Sequence, residues 1–139
     1  MSGTTASSAN PQLSLVLDYL RAIERDVGEE ELSAFFAPGV KQHEFPNRLV
    51  ERGAERGLEQ LLEGSRKGRL VVQNQRYVVH STLVDGDRVA VELTWSAELK
   101  VPLGKLKPGE TMTAHCGFFF TIRDRRIAAQ HNYDCFEPF

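Results

Sequence analysis

The chain is poor in the features that announce a macromolecular partner or a cofactor. Charge of one sign is missing: 17 Lys and Arg face 19 Asp and Glu, for a net charge of -2 without a basic block. Nucleic-acid binding therefore has no electrostatic support. Only two cysteines occur, Cys116 and Cys135, and they form no metal-type spacing. Two thiols with no secretory signal point to a reduced, cytoplasmic setting, with both partly buried. No apolar run approaches the roughly 20 residues of a membrane-spanning helix, and no apolar signal core opens the chain. No Ser-His-Asp order, Gly-rich phosphate loop or dinucleotide fingerprint appears, so no cofactor is expected. His43, His115 and His131 stand at no ligand spacing, so no metal is expected either.

What is present is 139 residues, 41% hydrophobic and 26% charged. That is one domain, long enough to bury about two-thirds of its unfolded surface. Met1 to Pro11 is small and polar and is expected to be a disordered tail. Residues 12–139 are expected to be a single domain.

The first half reads as helical. Leu13, Val16, Leu17, Leu20, Ile23 and Val27 fall at three- and four-residue spacing, which predicts a helix over Leu13 to Val27, ended by Gly28. Glu29 to Phe36 reads as a short second helix with an acidic first turn. Pro38-Gly39 is expected to break the chain before a short strand, Val40 to Phe45. Ala54 to Arg66 is expected to be a third helix, held inward by Leu58, Leu61 and Leu62.

From Leu70 the chain reads as strand. Leu70 to Val84 is valine-rich and ends at the turn signal Asp85-Gly86-Asp87. Arg88 to Val101 alternates, with Trp95 on the apolar side as a core or cavity-wall residue. Pro102 to Glu110 is a loop. The closing hairpin has a greasy face that carries Cys116, Phe118 and Phe120, a turn at Asp124-Arg125, and a last strand from Ile127 to Phe136. That strand holds two alternating sets. Ile127, Ala129, His131, Tyr133 and Cys135 share one face; Ala128, Gln130, Asn132, Asp134 and Phe136 share the other. Pattern alone puts the first set inside. A one-residue slip would exchange the two sets. Helices followed by four successive strands predict an α+β domain: three N-terminal helices packed on a strongly curved, mostly antiparallel sheet.

The order of elements, with VLDYLRAIERDVGEEELSAFFAPGV leading to QHEFP and a terminal NYDCFEP strand, resembles the SnoaL-like branch of the NTF2-like (ketosteroid-isomerase-like) superfamily. The resemblance spans about Leu13 to Phe136. It implies a cone: a bent sheet wrapped around helices and open at one end to an apolar cavity. It also implies homodimerisation through the outer sheet face, which Thr94, Ser96 and Thr113 permit. Members include isomerases, dehydratases, polyketide cyclases and epoxide hydrolases, together with binding modules, so fold alone does not fix activity.

The resemblance implies roles for individual residues. Tyr19 matches the helix tyrosine that donates to a substrate oxyanion, provided the turn Arg25 to Glu30 has one extra residue. Glu44 matches the general base near the end of the first strand. The second oxyanion donor of the isomerases, a protonated aspartate, is replaced here by Phe118. The last-strand acid of the epoxide hydrolases is replaced by Asn132, which leaves Asp134 as the nearest carboxylate. The resemblance also turns Gln130, Asn132 and Asp134 into the cavity, which requires a bulge or a shifted register.

Each candidate has a plainer reading. Glu44 is either a solvated strand-end residue or a desolvated base. Tyr19 is either a core aromatic or a donor. The expected function is binding of a small apolar ligand. With it goes cofactor-independent acid–base chemistry on a carbonyl or cyclic substrate, carried by Glu44, Asp134 and Tyr19: isomerisation, dehydration or ring closure. The alternative is a ligand-binding or dimerisation module without catalysis, favoured by the loss of acids at Phe118 and Asn132.

Overall fold

A computed structural model describes residues 10–139. Residues 1–9 of the expected tail lie outside the described residues. In chain order the elements are α1 (Pro11–Glu24), α2 (Glu29–Ser33), β1 (Phe36–Glu44), β2 (Ala54–Arg56), α3 (Leu58–Gly68), β3 (Val72–Asp85), β4 (Arg88–Leu99), β5 (Thr111–Arg123) and β6 (Arg126–Phe136). The strands form one six-stranded sheet in the order β2-β1-β6-β5-β4-β3. Every neighbouring pair is antiparallel except β1 with β6. The curved sheet packs its inner face against the helices, which is the α+β architecture expected.

Helix α1 starts two residues before the predicted Leu13. Pro11 occupies the first turn, where its missing N–H costs nothing, and the Asn10 side chain accepts from Leu13 N at 2.9 Å. It ends at Glu24 rather than Val27, because Asp26 takes a left-handed φ of 56° and turns the chain early. Gly28 instead caps α2, which stops at Ser33. The buried stripe of α1, with Leu13, Val16, Tyr19 and Leu20, packs against Val89, Val91, Leu93 and Phe120 of the sheet.

Pro38-Gly39 does not end an element. It lies within β1, where the register against β6 jumps from Phe36↔Ile127 to Lys41↔Ala129. Proline has no N–H for the ladder, so the strand takes it up in this irregularity. The expected third helix was also set too early: Ala54 to Arg56 pairs antiparallel with Gln42 to Glu44, and α3 begins only at Leu58.

The closing hairpin turns as expected. Asp124 and Arg125 both have positive φ, 51° and 63°, as a tight two-residue hairpin loop requires. The pairing then slips, from Ile122↔Ile127 to Thr121↔Ala129, leaving Ala128 as an extra residue on β6. Ile127 and Gln130 are therefore both buried, and the alternation changes phase between them. Beyond the bulge the inner set is Gln130, Asn132, Asp134 and Phe136; His131, Tyr133 and Cys135 are exposed on the outer face. Pattern alone gave the opposite assignment for this end of the strand. The bulge is the reason it fails.

Candidate functional site

A cleft of about 550 Å³ opens between the helices and the inner face of the sheet. Its inner end is formed by Tyr19 of α1, Tyr77 of β3, Trp95 of β4 and Met112 of β5. Leu49, Leu61 and Leu103 stand among its other apolar walls. The lining is mostly hydrophobic with a few polar groups, as small-molecule sites are.

Glu44 ends β1 and faces this cleft, but it is not alone. Arg56 Nη1 donates to Glu44 Oε1 at 2.8 Å and to Gln42 Oε1 at 3.2 Å. Asn47 Nδ2 donates to Glu44 Oε2 at 2.8 Å. The Glu44 side chain is 13% exposed and that of Arg56 26%. The short strand β2 produces this pair, since it sets Arg56 directly opposite Gln42. The returning loop needs glycine at Gly53, where φ is 70° and a Cβ would lie 2.6 Å from the Glu44 carbonyl oxygen. Asn47 also shapes that loop by accepting from Leu49 N and Val50 N, each at 2.9 Å. So the site presents Glu44 as an ion-paired carboxylate with both oxygens engaged, rather than the unpaired desolvated base that its position suggested.

Asp134 is the contrasting carboxyl. It lies across from Cys116 in the β5–β6 ladder. Burial pushes its affinity for a proton above the ordinary carboxylate value. The hydrogen bond from the Cys116 thiol opposes that shift, the negative charge of Glu44 adds to it, and Arg56 opposes it. Cys116 is pushed up in turn, by burial first and then by the charge of Asp134, so it is a neutral thiol and not a nucleophile.

Two tyrosines complete the inner end. Burial raises Tyr19 above its ordinary value. Tyr77 is raised as well, by burial first and then by Tyr19, Cys116, Asp134 and Glu24. Both phenols are therefore neutral donors at any physiological pH. Neither hydroxyl has a hydrogen-bond partner among the described residues. Beside them Trp95 Nε1 donates to Gln75 Oε1 at 3.0 Å, which leaves the Gln75 amide nitrogen facing the cleft. Gln75 and Tyr77 both point inward because β3 slips register between Gln73 and Arg76, with Asn74 at φ 53°.

The nine residues singled out from sequence therefore separate into three groups. Glu44, Tyr19 and Trp95 line the cleft. Asp134, Asn132 and Gln130 follow one another on the inner face of β6, where Glu44 pairs in register with Asn132. Gln130 is 2% exposed; its Nε2 donates to Asn132 Oδ1 at 2.7 Å, and its Oε1 is a buried acceptor without a partner. Cys116, Phe118 and Phe120 are buried in the core behind, where Phe120 packs edge-on against Tyr19. Sequence reasoning missed Gln42, Arg56, Gln75 and Tyr77. Tyr77 was hidden in a valine-rich run that read only as strand, and Arg56 inside a stretch assigned to helix. No signal singled out Gln75, which stands within the polar run Gln73-Asn74-Gln75-Arg76.

A curved six-stranded sheet closed by three helices over an apolar cleft defines the NTF2-like class of folds. Residues 16–130 match the model of the SnoaL-like domain, and the chain belongs to that family. No curated protein is significantly similar to it in sequence. Among solved structures it is similar to IdmH of Streptomyces antibioticus, a protein with a proposed polyketide cyclase role. The identity is 17%, the TM-score 0.74, and the match covers 88% of this chain and 91% of that one. A SnoaL-like polyketide cyclase from Agrobacterium tumefaciens shares 17% identity at a TM-score of 0.69, over 88% and 90% of the two chains. AclR of Streptomyces galilaeus, a proposed hydroxylase, shares 15% at 0.71, over 88% and 74%. At these identities the likeness carries the fold. The different activities attached to one fold mean that function has to be argued from the site. No helix among the described residues is long and apolar enough to cross a membrane.

Proposed function

We propose that the cleft takes an apolar small molecule bearing carbonyl oxygens, and that Asp134 moves a proton on it without a cofactor. The observation that carries this reading is the run from Asp134, on the inner face of β6, to Tyr77, which feels its charge, and on to Tyr19, the two tyrosines lining an apolar cleft as neutral phenols. A carboxyl whose proton affinity is raised by burial is a better proton acceptor than an ordinary carboxylate and can return the proton it takes. Tyr19 and Tyr77 would stabilise negative charge on a carbonyl oxygen as it develops. The Gln75 amide and the uncommitted guanidinium nitrogens of Arg56 add further donors. The cleft thus offers more donors than acceptors, which suits a ligand with several acceptor oxygens. The likeness to polyketide cyclases supports ring closure or isomerisation next to a carbonyl as the reaction class.

In this reading Glu44 is not the atom that abstracts. Its charge, held by Arg56 and Asn47, helps keep the proton on Asp134 and fixes the polar wall against which the ligand orients. Asn132 and Gln130 set the inner face of β6 beside Asp134, and Trp95 supplies an apolar wall. The protein would act in the cytoplasm as a homodimer joined through the outer sheet face, where Phe119 and Tyr133 are 41% and 46% exposed.

The test is deuterium exchange, followed by proton NMR, at the carbon next to the carbonyl of small aromatic ketones and diketones. The wild-type protein should catalyse exchange and D134N should not, while still binding. A second reading, a binding module without catalysis, is favoured by the engagement of both Glu44 oxygens. It would be supported by a wild-type protein that binds these ketones, exchanges none of their protons, and changes only its ligand preference in E44Q.

A further inference from the structure

All four histidines of the chain stand on the outer face of the sheet, none in the cleft. They fall into two groups of different chemistry. His80 Nε2 lies 2.7 Å from Thr94 Oγ1, which is 3.3 Å from His115 Nδ1, and His115 Nε2 lies 2.8 Å from Glu137 Oε2. A proton taken up by His115 meets a carboxylate at once. His43 and His131 are placed otherwise. Their rings are 5.9 Å apart on the adjacent strands β1 and β6, within an aromatic ridge. His43 stacks on Phe45 at 4.1 Å, Phe45 on Tyr133 at 4.5 Å, and Tyr133 meets Phe119 edge-on at 5.8 Å.

Beside this ridge runs a groove of about 590 Å³, floored by Gly117 and Ala90 and walled by Phe119, Tyr133 and Leu83. Leu83 is 75% exposed and Val78, on the same strand, 52%. One face thus carries both a protrusion and a recess of matching apolar character, which is what a two-fold contact between identical copies requires. The outer face of the sheet as a whole holds both signs of charge, Lys41 on β1 and Arg76 on β3 against Glu55 on β2 and Glu92 on β4, so a second copy does not meet uniformly like charge.

We infer that this face is a proton-sensitive contact between two copies of the chain, with His43 and His131 as the sensing pair. The inference rests on the homodimer reading above. The groups that face the pair are few. Lys41 comes from β1 itself, Glu55 from β2, Phe119 from β5, and Tyr133 and Cys135 from β6. When both rings are protonated, three cations with one carboxylate, Glu55, stand on each copy in a contact that is otherwise apolar. The two-fold axis doubles that excess. His80 faces Ser81, Glu92 and Thr94, and His115 faces Thr94, Cys135 and Glu137, so carboxylates compensate that second group.

The experiment is sedimentation velocity of the full chain at about pH 8 and about pH 5.5, which bracket the histidine range, with circular dichroism at both values to confirm folding. The wild-type protein should be dimeric at the higher value, and its dissociation constant should rise by about tenfold or more at the lower one. The variant H43Q/H131Q should lose most of that response, and H115Q should keep it. Equal dimer affinity at the two pH values overturns the sensing role and leaves the dimer standing. A monomer at both overturns the dimer reading and this inference with it. If the double variant is monomeric at about pH 8, H131Q alone is read: a smaller response supports the assignment, and an unchanged one overturns it.

Discussion

Glu24 of α1 holds the backbone of Tyr77 on β3. Its Oε2 accepts from Tyr77 N at 2.7 Å, while Arg21, bound to Glu24 Oε1 at 2.6 Å, donates to the Tyr77 carbonyl at 3.3 Å. β3 is the edge strand of the sheet, so at this residue it has an unpaired donor and acceptor facing away from β4. A side-chain ion pair from a helix stands in for the missing neighbour strand. It also fixes the residue whose hydroxyl reaches the inner end of the cleft.

Removing that clasp should act on stability and on binding together. In Glu24→Ala the Tyr77 N–H loses its partner, at a cost of about 1–3 kcal/mol. Chemical denaturation should show this loss. Ligand affinity should fall as well, whereas Glu24→Gln, which keeps an acceptor, should recover most of both.

The pair Glu44–Arg56 should behave as a coupled unit. Either Glu44→Gln or Arg56→Met leaves a partly buried charge without its counterpart. Because both side chains keep some solvent, each single change should cost about 1–2 kcal/mol, below the range for fully buried pairs. The double variant should cost less than the sum of the two. A double-mutant cycle by denaturant titration measures the difference, and strict additivity would contradict the pairing.

Asp134 gives a prediction of definite sign. Its folded-state proton affinity is raised above the unfolded value. Between those two values the folded state holds more protons than the unfolded one, so stability falls as pH rises through that window. Above it the full penalty of ionising a buried carboxyl applies. Asp134→Asn should therefore be more stable than wild type at neutral pH. The difference should vanish below the ordinary carboxylate range. Thermal melts across pH test this; a stability difference that grows on acidification would contradict it.

Asn74 should tolerate little else. At its φ of 53° a β-branched residue is strained. Asn74→Val should cost about 1–3 kcal/mol, whereas Asn74→Gly should be nearly neutral. Loss of ligand binding in Asn74→Val, with folding retained, would show that the bulge aims Gln75 and Tyr77.

The regular parts of this fold were legible and the irregular parts were not. β4 and β5 alternate without interruption, and each was located to within two residues. The turn at Asp124-Arg125 announced itself by position between two such strands, although no glycine marks it. β2 went unseen because three residues, Ala54 to Arg56, carry no period, and Arg56 went with it. The site suffered most because β1, β3 and β6, which carry Glu44, Gln75, Tyr77 and Asp134, are each irregular. An extra residue at Asn74 or Ala128 alters no composition and hardly alters a hydrophobic profile. It nonetheless decides whether Gln75 or Asp134 faces inward or outward. Resemblance at the level of the whole fold supplied the correct face of β6, which residue pattern alone did not.

The bulge at Ala128 has a genetic corollary. The last strand is in effect read in two frames, apolar before that residue and chemically rich after it. Losing that one codon would let Ile127, Ala129 and Gln130 alternate without a break, so Gln130, Asn132 and Asp134 would still face inward and His131, Tyr133 and Cys135 outward. Ala128 is thus spare length: the chain can gain or lose it at this one place while the two faces of the strand beyond it keep their sides.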